Sequence, residues 1–202
     1  MAQVPIKKQD LKKEKIIQAA GMVFSQKGFH QAKMDEIAER AQVAKGTLYY
    51  NYSSKSKLFA ATVTQGLNQI METIEEELES DLPFPEHFRG IVSTMIRLYI
   101  ARGEITRIYA NEMSSGIDDH VLVEIKTAKK KFNDFIEDQL KHGQEKGYLR
   151  PLPQHLSAMA IIGIIDTLCS HHLEHPEHDT LDDIIDTVFT ILSAGLTLPP
   201  PQ

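Results

Sequence analysis

Apolar residues recur along this chain with the period of an α-helix almost from end to end, and no segment alternates with the period of a strand. Ile16, Ala20, Val23 and Phe24 stand at i, i+4, i+7 and i+8, and Lys27-Gly28 supplies a stop signal. A short apolar helix is predicted over Met34 to Ala41, and a very short one over Gly46 to Tyr52. Phe59, Val63, Leu67, Ile70, Ile74 and Leu78 then draw one stripe along a helix from about Ser56 to Glu79.

Prolines and glycines punctuate the rest. Pro83 and Pro85 end the long helix, Phe88, Ile91, Val92, Met95 and Tyr99 mark the next, and Ile105, Ile108, Tyr109 and Met113 a shorter one. Asp118 is placed to cap a helix whose stripe is Val121, Ile125, Ala128, Phe132, Ile136 and Leu140, closed by Gly147. After Pro151 and Pro153 two more are predicted, about Gln154 to His172 and Leu181 to Leu196, the last opened by Thr180 with Asp183 three residues on, an acidic form of the capping box. The reading is all-α, nine helices and no repeats, with a loose tail at Pro199 to Pro201.

The penultimate helix is apolar nearly all round, from Ala158 through Ile165. A helix without a wet face is buried on every side, and a chain of 202 residues achieves that most simply with a second copy of itself. Met159, Ile162 and Gly163, with Ile185, Phe189 and Leu192 of the last helix, are therefore expected at a four-helix dimer interface.

Charge divides by position. Residues 1–60 hold 11 Lys or Arg against 5 Asp or Glu, and residues 61–202 hold 11 against 23. A basic head on an acidic body meets phosphates with one end only. A single cysteine, Cys169, excludes an intramolecular disulfide and suits a reducing cytoplasm. The charged segment Gln3 to Lys15 lacks the apolar core of a secretory signal, and the longest apolar stretch, Leu156 to Leu168, is short for a membrane span, so no targeting or membrane segment is expected.

The chemistry of the head sits in Gly46-Thr47-Leu48-Tyr49-Tyr50-Asn51-Tyr52, followed by Ser54-Lys55-Ser56-Lys57-Leu58-Phe59. Two short helices joined by a tight turn, the second presenting hydroxyl and aromatic tips, are the elements of a DNA-reading helix-turn-helix. Gly46 removes a side chain where phosphate must approach, Thr47 and Tyr50 carry hydroxyls, and Lys33, Lys45 and Lys55 carry cations; Asn51 completes the candidate DNA-binding set. Tyr49 is expected to pack on Ile37 and Leu48.

From Lys12 to Leu58 the chain resembles the tetracycline-repressor (TetR) family of bacterial regulators. The matching residues are Ile16 to Ala20, Phe24, Gly28-Phe29, Ile37-Ala38, Val43, Lys45 to Tyr50, Ser54-Lys55 and Leu58-Phe59. The resemblance implies a three-helix DNA-binding head, residues 1–55, and a helical ligand-binding and dimerising body, residues 56–202, with dimers joined through the last two helices. It also marks departures: Ala32 where a capping threonine is common, Gln42 where the turn usually has glycine, Ala44 where a serine usually caps the recognition helix, and Asn51 for histidine. The sequence near Gly28, with Gly163 to Asp166, is similar to acyl-CoA-responsive members.

Within the body, Met95, Tyr99, Tyr109, Met113 and Phe132 offer apolar and aromatic surface, and Arg102, Glu112 and Asp166 share apolar faces; these are the candidate ligand-binding residues. His171 and His175 sit one helical turn apart near Glu174, Glu177 and His178, as metal ligands often do, but histidines at a helix C-terminus are also favoured by its dipole, and the segment is taken as a polar loop. No nucleophile elbow, phosphate-cradling loop or zinc-protease pattern is present, so no catalytic residue, metal or cofactor is expected. The expected function is a homodimeric regulator, a repressor, released from a palindromic operator by a small, largely apolar molecule such as an acyl-CoA. A DNA-bound scaffold of the same fold that recruits a protein is the alternative.

Overall fold

The structure, a computed structural model, describes residues 8–78, 83–112 and 118–198, with side chains at 11–77, 83–101 and 118–198. Among the described residues there are eight helices: α1 Lys8–Gln31, α2 Met34–Arg40, α3 Lys45–Asn51, α4 Lys55–Leu78, α5 Phe84–Glu112, α6 Asp119–Glu145, α7 Gln154–Glu174 and α8 Leu181–Leu196. No strand occurs among them; the one extended pairing is a bridge between Leu149 and Thr197. Nine helices become eight because the two expected between Phe88 and Met113 form the single α5. Gly103 lies within it, and a lone glycine weakens a helix by about 1 kcal/mol where a proline would break it. The proline tail lies outside the described residues.

The chain separates into two compact units, one running to Gly66 and including Glu104–Lys126, the other comprising Leu67–Gly103 and Thr127–Gln202. Helices α4, α5 and α6 each contribute to both.

In the first unit the predicted stripe of α1 is fully used: Ile16, Ala20, Val23 and Phe24 are buried, together with Ile37 and Ala38 of α2, Leu48 of α3 and Leu58 and Phe59 of α4. Phe59 meets Phe24 and Phe29 edge-on, each at 5.2 Å between centroids, so three rings pin α1 to the start of α4. The stop signal acts where it was read. Gly28 has φ 75° and ψ 167°, a region open to glycine and almost closed to other residues, and it kinks α1.

The second unit is a helical bundle. Its core takes Met71 and Ile74 from α4, Val92, Met95, Ile96 and Tyr99 from α5, Phe132, Ile136 and Leu140 from α6, Ala158, Ile161, Ile165 and Cys169 from α7, and Ile184, Ile185, Val188 and Leu192 from α8. Thr180 and Asp183 form the expected capping box at the head of α8, the Thr180 hydroxyl accepting from the Asp183 N–H at 3.1 Å and the Thr180 N–H donating to the carboxylate at 2.9 Å. The Thr180 hydroxyl, donating to the Asp183 carboxylate at 2.6 Å, and then the Thr180 N–H hold that carboxyl below its usual range. Burial pushes the Cys169 thiol up to about 12, which leaves it an inert core residue.

By length and composition α7, 21 residues long, is also apolar enough to cross a membrane. In this fold one of its faces belongs to the core, and Asp166 in its middle accepts a hydrogen bond from the Tyr99 hydroxyl at 2.7 Å.

Candidate nucleic-acid interface and effector cavity

Helices α2 and α3 are joined by a turn in which every sequence departure has a structural counterpart. Gln42 takes φ 54°, the left-handed conformation that glycine adopts without strain. Backbone bonds hold it: Gln42 N–H to Glu39 C=O at 3.0 Å and Val43 N–H to Ala38 C=O at 3.0 Å. Ala44 is the N-cap of α3 and supplies no side-chain bond, as its composition requires. At α2 the cap is Lys33, with extended backbone, while Ala32 is buried beside it.

On α3 the fold uses only Leu48, which is fully buried. Tyr50 is 82% exposed and Tyr49 48%, so Tyr49 does not pack inside as expected but shares the open face of the helix. A Cβ at Gly46 would meet nothing within 4 Å, so packing among the described residues does not itself require a glycine there. Thr47 is half-buried, and its carbonyl accepts from the Asn51 amide at 2.7 Å, so Asn51 is held against its own helix.

The three candidate lysines are in different states. Lys33 is exposed at the start of α2. Lys45 lies 2.5 Å from the Asp35 carboxylate, whose hydrogen bond and charge raise its pKa. Lys55 turns inward: its ammonium donates to the carbonyls of His30 at 3.0 Å and Ala32 at 3.1 Å and lies 4.6 Å from the Phe29 ring centroid. It ties the start of α4 to the end of α1. Asp35 competes with phosphate for Lys45, and an exposed pair of this kind is weak and easily exchanged. Asp35→Asn is therefore expected to tighten DNA binding up to about fivefold per head, measured by fluorescence anisotropy at fixed salt; weaker binding would mean that Asp35 itself contacts the DNA.

The second unit contains a cavity of about 270 Å³. Phe84, Phe88, Ile91, Val92 and Met95 of α5 form one wall and Ile136, Leu140 and Gly143 of α6 another, with Ile74, Ile161, Leu192 and the Tyr148-Leu149 segment closing it. Aromatic stacking shapes its rim: Phe84 lies 4.6 Å from Tyr148 and 5.8 Å from Phe88. The polar lining comes from His87 on α5, Gln139 and His142 on α6 and Lys146 just past its end, and the Nε2 atom of His87 is buried with no hydrogen-bond partner among the described residues.

Of the candidate ligand residues, Met95 lines this cavity. Tyr99 and Asp166 are instead paired with each other and with Ser170, whose hydroxyl is 2.9 Å from the Tyr99 oxygen, and burial raises the Tyr99 phenol above its ordinary range. Phe132 sits in the core away from the cavity wall. The side chains of Arg102, Tyr109 and Glu112, and Met113 altogether, lie outside the described residues.

Residues 16–62 match the family model for bacterial regulatory proteins of the tetR family, and residues 81–170 match the model for the tetracyclin repressor-like C-terminal domain. The chain belongs to the TetR family. It is a DNA-binding, ligand-responsive transcriptional regulator of the repressor type. Among its relatives is the uncharacterized HTH-type transcriptional regulator YhgD of Bacillus subtilis, 25% identical over 179 residues, covering 83% of this chain and 88% of that one. Two solved TetR-fold structures superpose well. The fatty acid degradation regulator FadR of Bacillus halodurans gives a TM-score of 0.78 at 21% identity over 96% of this chain and 98% of its own. FadR of Bacillus subtilis, solved in complex with stearoyl-CoA, gives 0.75 at 22% over 90% and 98%.

TetR regulators act as dimers, and the surface of α7 and α8 bears on which residues meet a partner here. Met159 is 64% exposed and Gly163 is exposed, with Ile162 half-buried between them. Leu156 and Ile191, absent from the expected set, are 55% and 50% exposed. Two expected interface residues are corrected, Ile185 and Leu192, while Phe189 is half-buried. Ile185 and Leu192 are buried in the core of their own chain, and Phe189 packs 6.0 Å from Phe88 and under the Arg89 guanidinium. Ile185 and Leu192 lie on the face of α8 that the bundle consumes, and the periodicity of an apolar helix does not say which of two apolar neighbours a face will meet.

Proposed function

We propose that this protein is a homodimeric repressor whose effector is an acyl chain on a polar head, most simply a fatty acyl thioester, and that it leaves a palindromic operator when the chain enters the cavity of its body. The observation that carries this reading is the cavity itself. Its lining is aromatic and aliphatic apart from four polar side chains, on α5, on α6 and just past the end of α6, the composition of a site that buries an apolar ligand and fixes its head. His87, with a buried nitrogen lacking a partner, supplies the hydrogen bond that a carboxyl or thioester oxygen needs, and Lys146 supplies a cation. At about 270 Å³ the space stands just below the usual range for small-molecule sites, which begins at about 300 Å³. The B. subtilis FadR structure, alike in fold, is a complex with stearoyl-CoA, a ligand of this class.

Functionally we divide the chain into residues 1–55, which contact DNA, and 56–202, which bind effector and partner. Helix α4 is continuous from Lys55, at the edge of the first segment, to Ile74 on the cavity wall. A ligand that prefers a displaced α4 disfavours the arrangement in which both heads fit their half-sites, and by linkage operator DNA weakens ligand binding by the same factor.

Operator binding should be titrated against acyl-CoAs from octanoyl to stearoyl, with the free acids in parallel. At least one is expected to reduce operator affinity 5- to 150-fold, the ordinary range of allosteric coupling, about 1–3 kcal/mol. Ile91→Trp, a partly exposed wall residue enlarged into the cavity, is expected to remove that response while apo operator binding persists. If the cavity is only imperfect packing, the same variant changes stability by about 1–3 kcal/mol and the response survives. Indifference to every acyl compound would overturn the proposed effector.

A further inference from the structure

The C-terminal end of α7 carries a cluster of imidazoles that neither the head nor the cavity uses. His171, in the last turn of α7, and His175, its C-cap, have ring centroids 4.9 Å apart. The chain then turns back on itself, the His178 N–H donating to the His175 carbonyl at 3.1 Å. That turn places the His178 ring 5.1 Å from His175, nearly parallel to it, and 5.9 Å from His171. The same turn brings in Glu177, whose carboxylate lies 3.9 Å from Nδ1 of His175 and 3.6 Å from Nε2 of His178. One ligand atom from each of His175, Glu177 and His178 falls within 4.8 Å of the others. In the sequence His171 and His175 stand at helical spacing near Glu177 and His178, and the fold brings the four side chains together.

The electrostatic setting favours a cation. From residue 151 to the C-terminus there are 7 carboxylate side chains and no lysine or arginine. Asp182 and Asp186 are matched by Arg97 and Arg89 of α5, but among the described residues no lysine or arginine pairs with Glu174, Glu177 or Asp179. The cluster also sits at the negative end of the α7 dipole.

We propose that His175, Glu177 and His178, with His171 as fourth donor, form a binding site for a divalent transition-metal ion of the zinc class. Imidazole nitrogens select zinc, cobalt, nickel and copper over magnesium and calcium, which prefer all-oxygen sites. Around a tetrahedral ion with bonds of about 2.0–2.2 Å the donors must stand about 3.3 Å apart. Side-chain rotation at this surface turn closes the remaining gap. A bound ion would clamp the end of α7 to the loop that leads into the capping box of α8, and the site stands or falls independently of the proposed effector.

The test uses the full-length chain without a polyhistidine tag, stripped with chelator and titrated with Co²⁺ and then Zn²⁺. One equivalent per chain is expected to give tetrahedral cobalt absorption that zinc displaces, and zinc is expected to raise the melting temperature. The double variant His175→Ala/His178→Ala should lose the spectrum and at least 100-fold in affinity, and Glu177→Gln should weaken binding, whereas His120→Ala, far along the sequence on α6, should bind as the parent does. Metal-free variants with the melting temperature of the metal-free parent show that the fold is intact. Absence of a stoichiometric tetrahedral spectrum, or a spectrum that survives the double variant, overturns the site.

Discussion

Raising salt from 50 to 200 mM is expected to cut operator affinity about 10³- to 10⁵-fold, if a dimer neutralises about six to ten phosphates. The expectation follows from where the positive charge lies: residues 1–60 carry a balance of +6 (11 against 5), while residues 61–202 carry −12 (11 against 23), so attraction to the polyanion comes from the head alone. The structure changes which lysines should set the slope. Lys33 is exposed at the mouth of α2, and Lys33→Ala should lower the slope of log K against log salt by about one per head. Lys55→Ala should behave differently, because its ammonium is spent on the carbonyls of His30 and Ala32 and on the Phe29 ring. It should lower the melting temperature of the head and weaken binding through that loss. A Lys55→Ala protein of unchanged stability whose salt slope flattens would instead make Lys55 a phosphate contact. Tyr50→Phe and Thr47→Ala should alter sequence preference more than slope, since hydroxyls release no counterions.

The head was legible in the sequence because its determinants are local. A glycine at the kink, a left-handed residue in the turn and an uncapped α3 each follow from the residue at one position, and Gly28, Gln42 and Ala44 all behave as read. Tyr49 failed because α3 is too short to bury two faces; once Leu48 fills the inner one, its neighbour must point away. Helix ends at Gly147, Pro153 and the Thr180 cap were equally local, whereas Pro85, read as a helix end, lies in the first turn of α5, where proline is tolerated. The cavity was not legible. It forms where the first turns of α5, the last turns of α6 and the Tyr148-Leu149 bridge segment converge, which depends on how helices far apart in sequence register against each other. The hydrogen bond between Tyr99 and Asp166 spans 67 residues and removes from the lining two side chains that the sequence offered to a ligand. One signal was available: Phe84 and Phe88 are successive on the same face of α5, and Phe84 stacks on Tyr148.

Gly163→Arg is expected to convert the dimer to monomers and to abolish high-affinity operator binding without unfolding the chain. Leu156, Met159 and Gly163 stand at i, i+3 and i+7 on α7, all exposed, so this helix presents an apolar stripe that its own chain leaves uncovered. Gly163 is the telling member. A glycine inside a helix costs about 1 kcal/mol relative to alanine, and a Cβ added here would meet nothing within 4 Å, so nothing within the chain requires the missing side chain. A helix of a second copy crossing at that point does require it. In a two-fold interface the substitution is made twice, and each guanidinium is taken out of water without a partner, at several kcal/mol per ion. Dimer dissociation should strengthen by at least about 10³-fold, since each 1.4 kcal/mol is a factor of ten. Met159→Asp should act in the same sense, whereas Ile185→Ala, in the core of its own chain, should lower the melting temperature by cavity formation and leave assembly intact. Sedimentation velocity and operator binding on the same samples separate the two effects. A Gly163→Arg protein that sediments as a dimer at the parent's concentration would place the interface on another face.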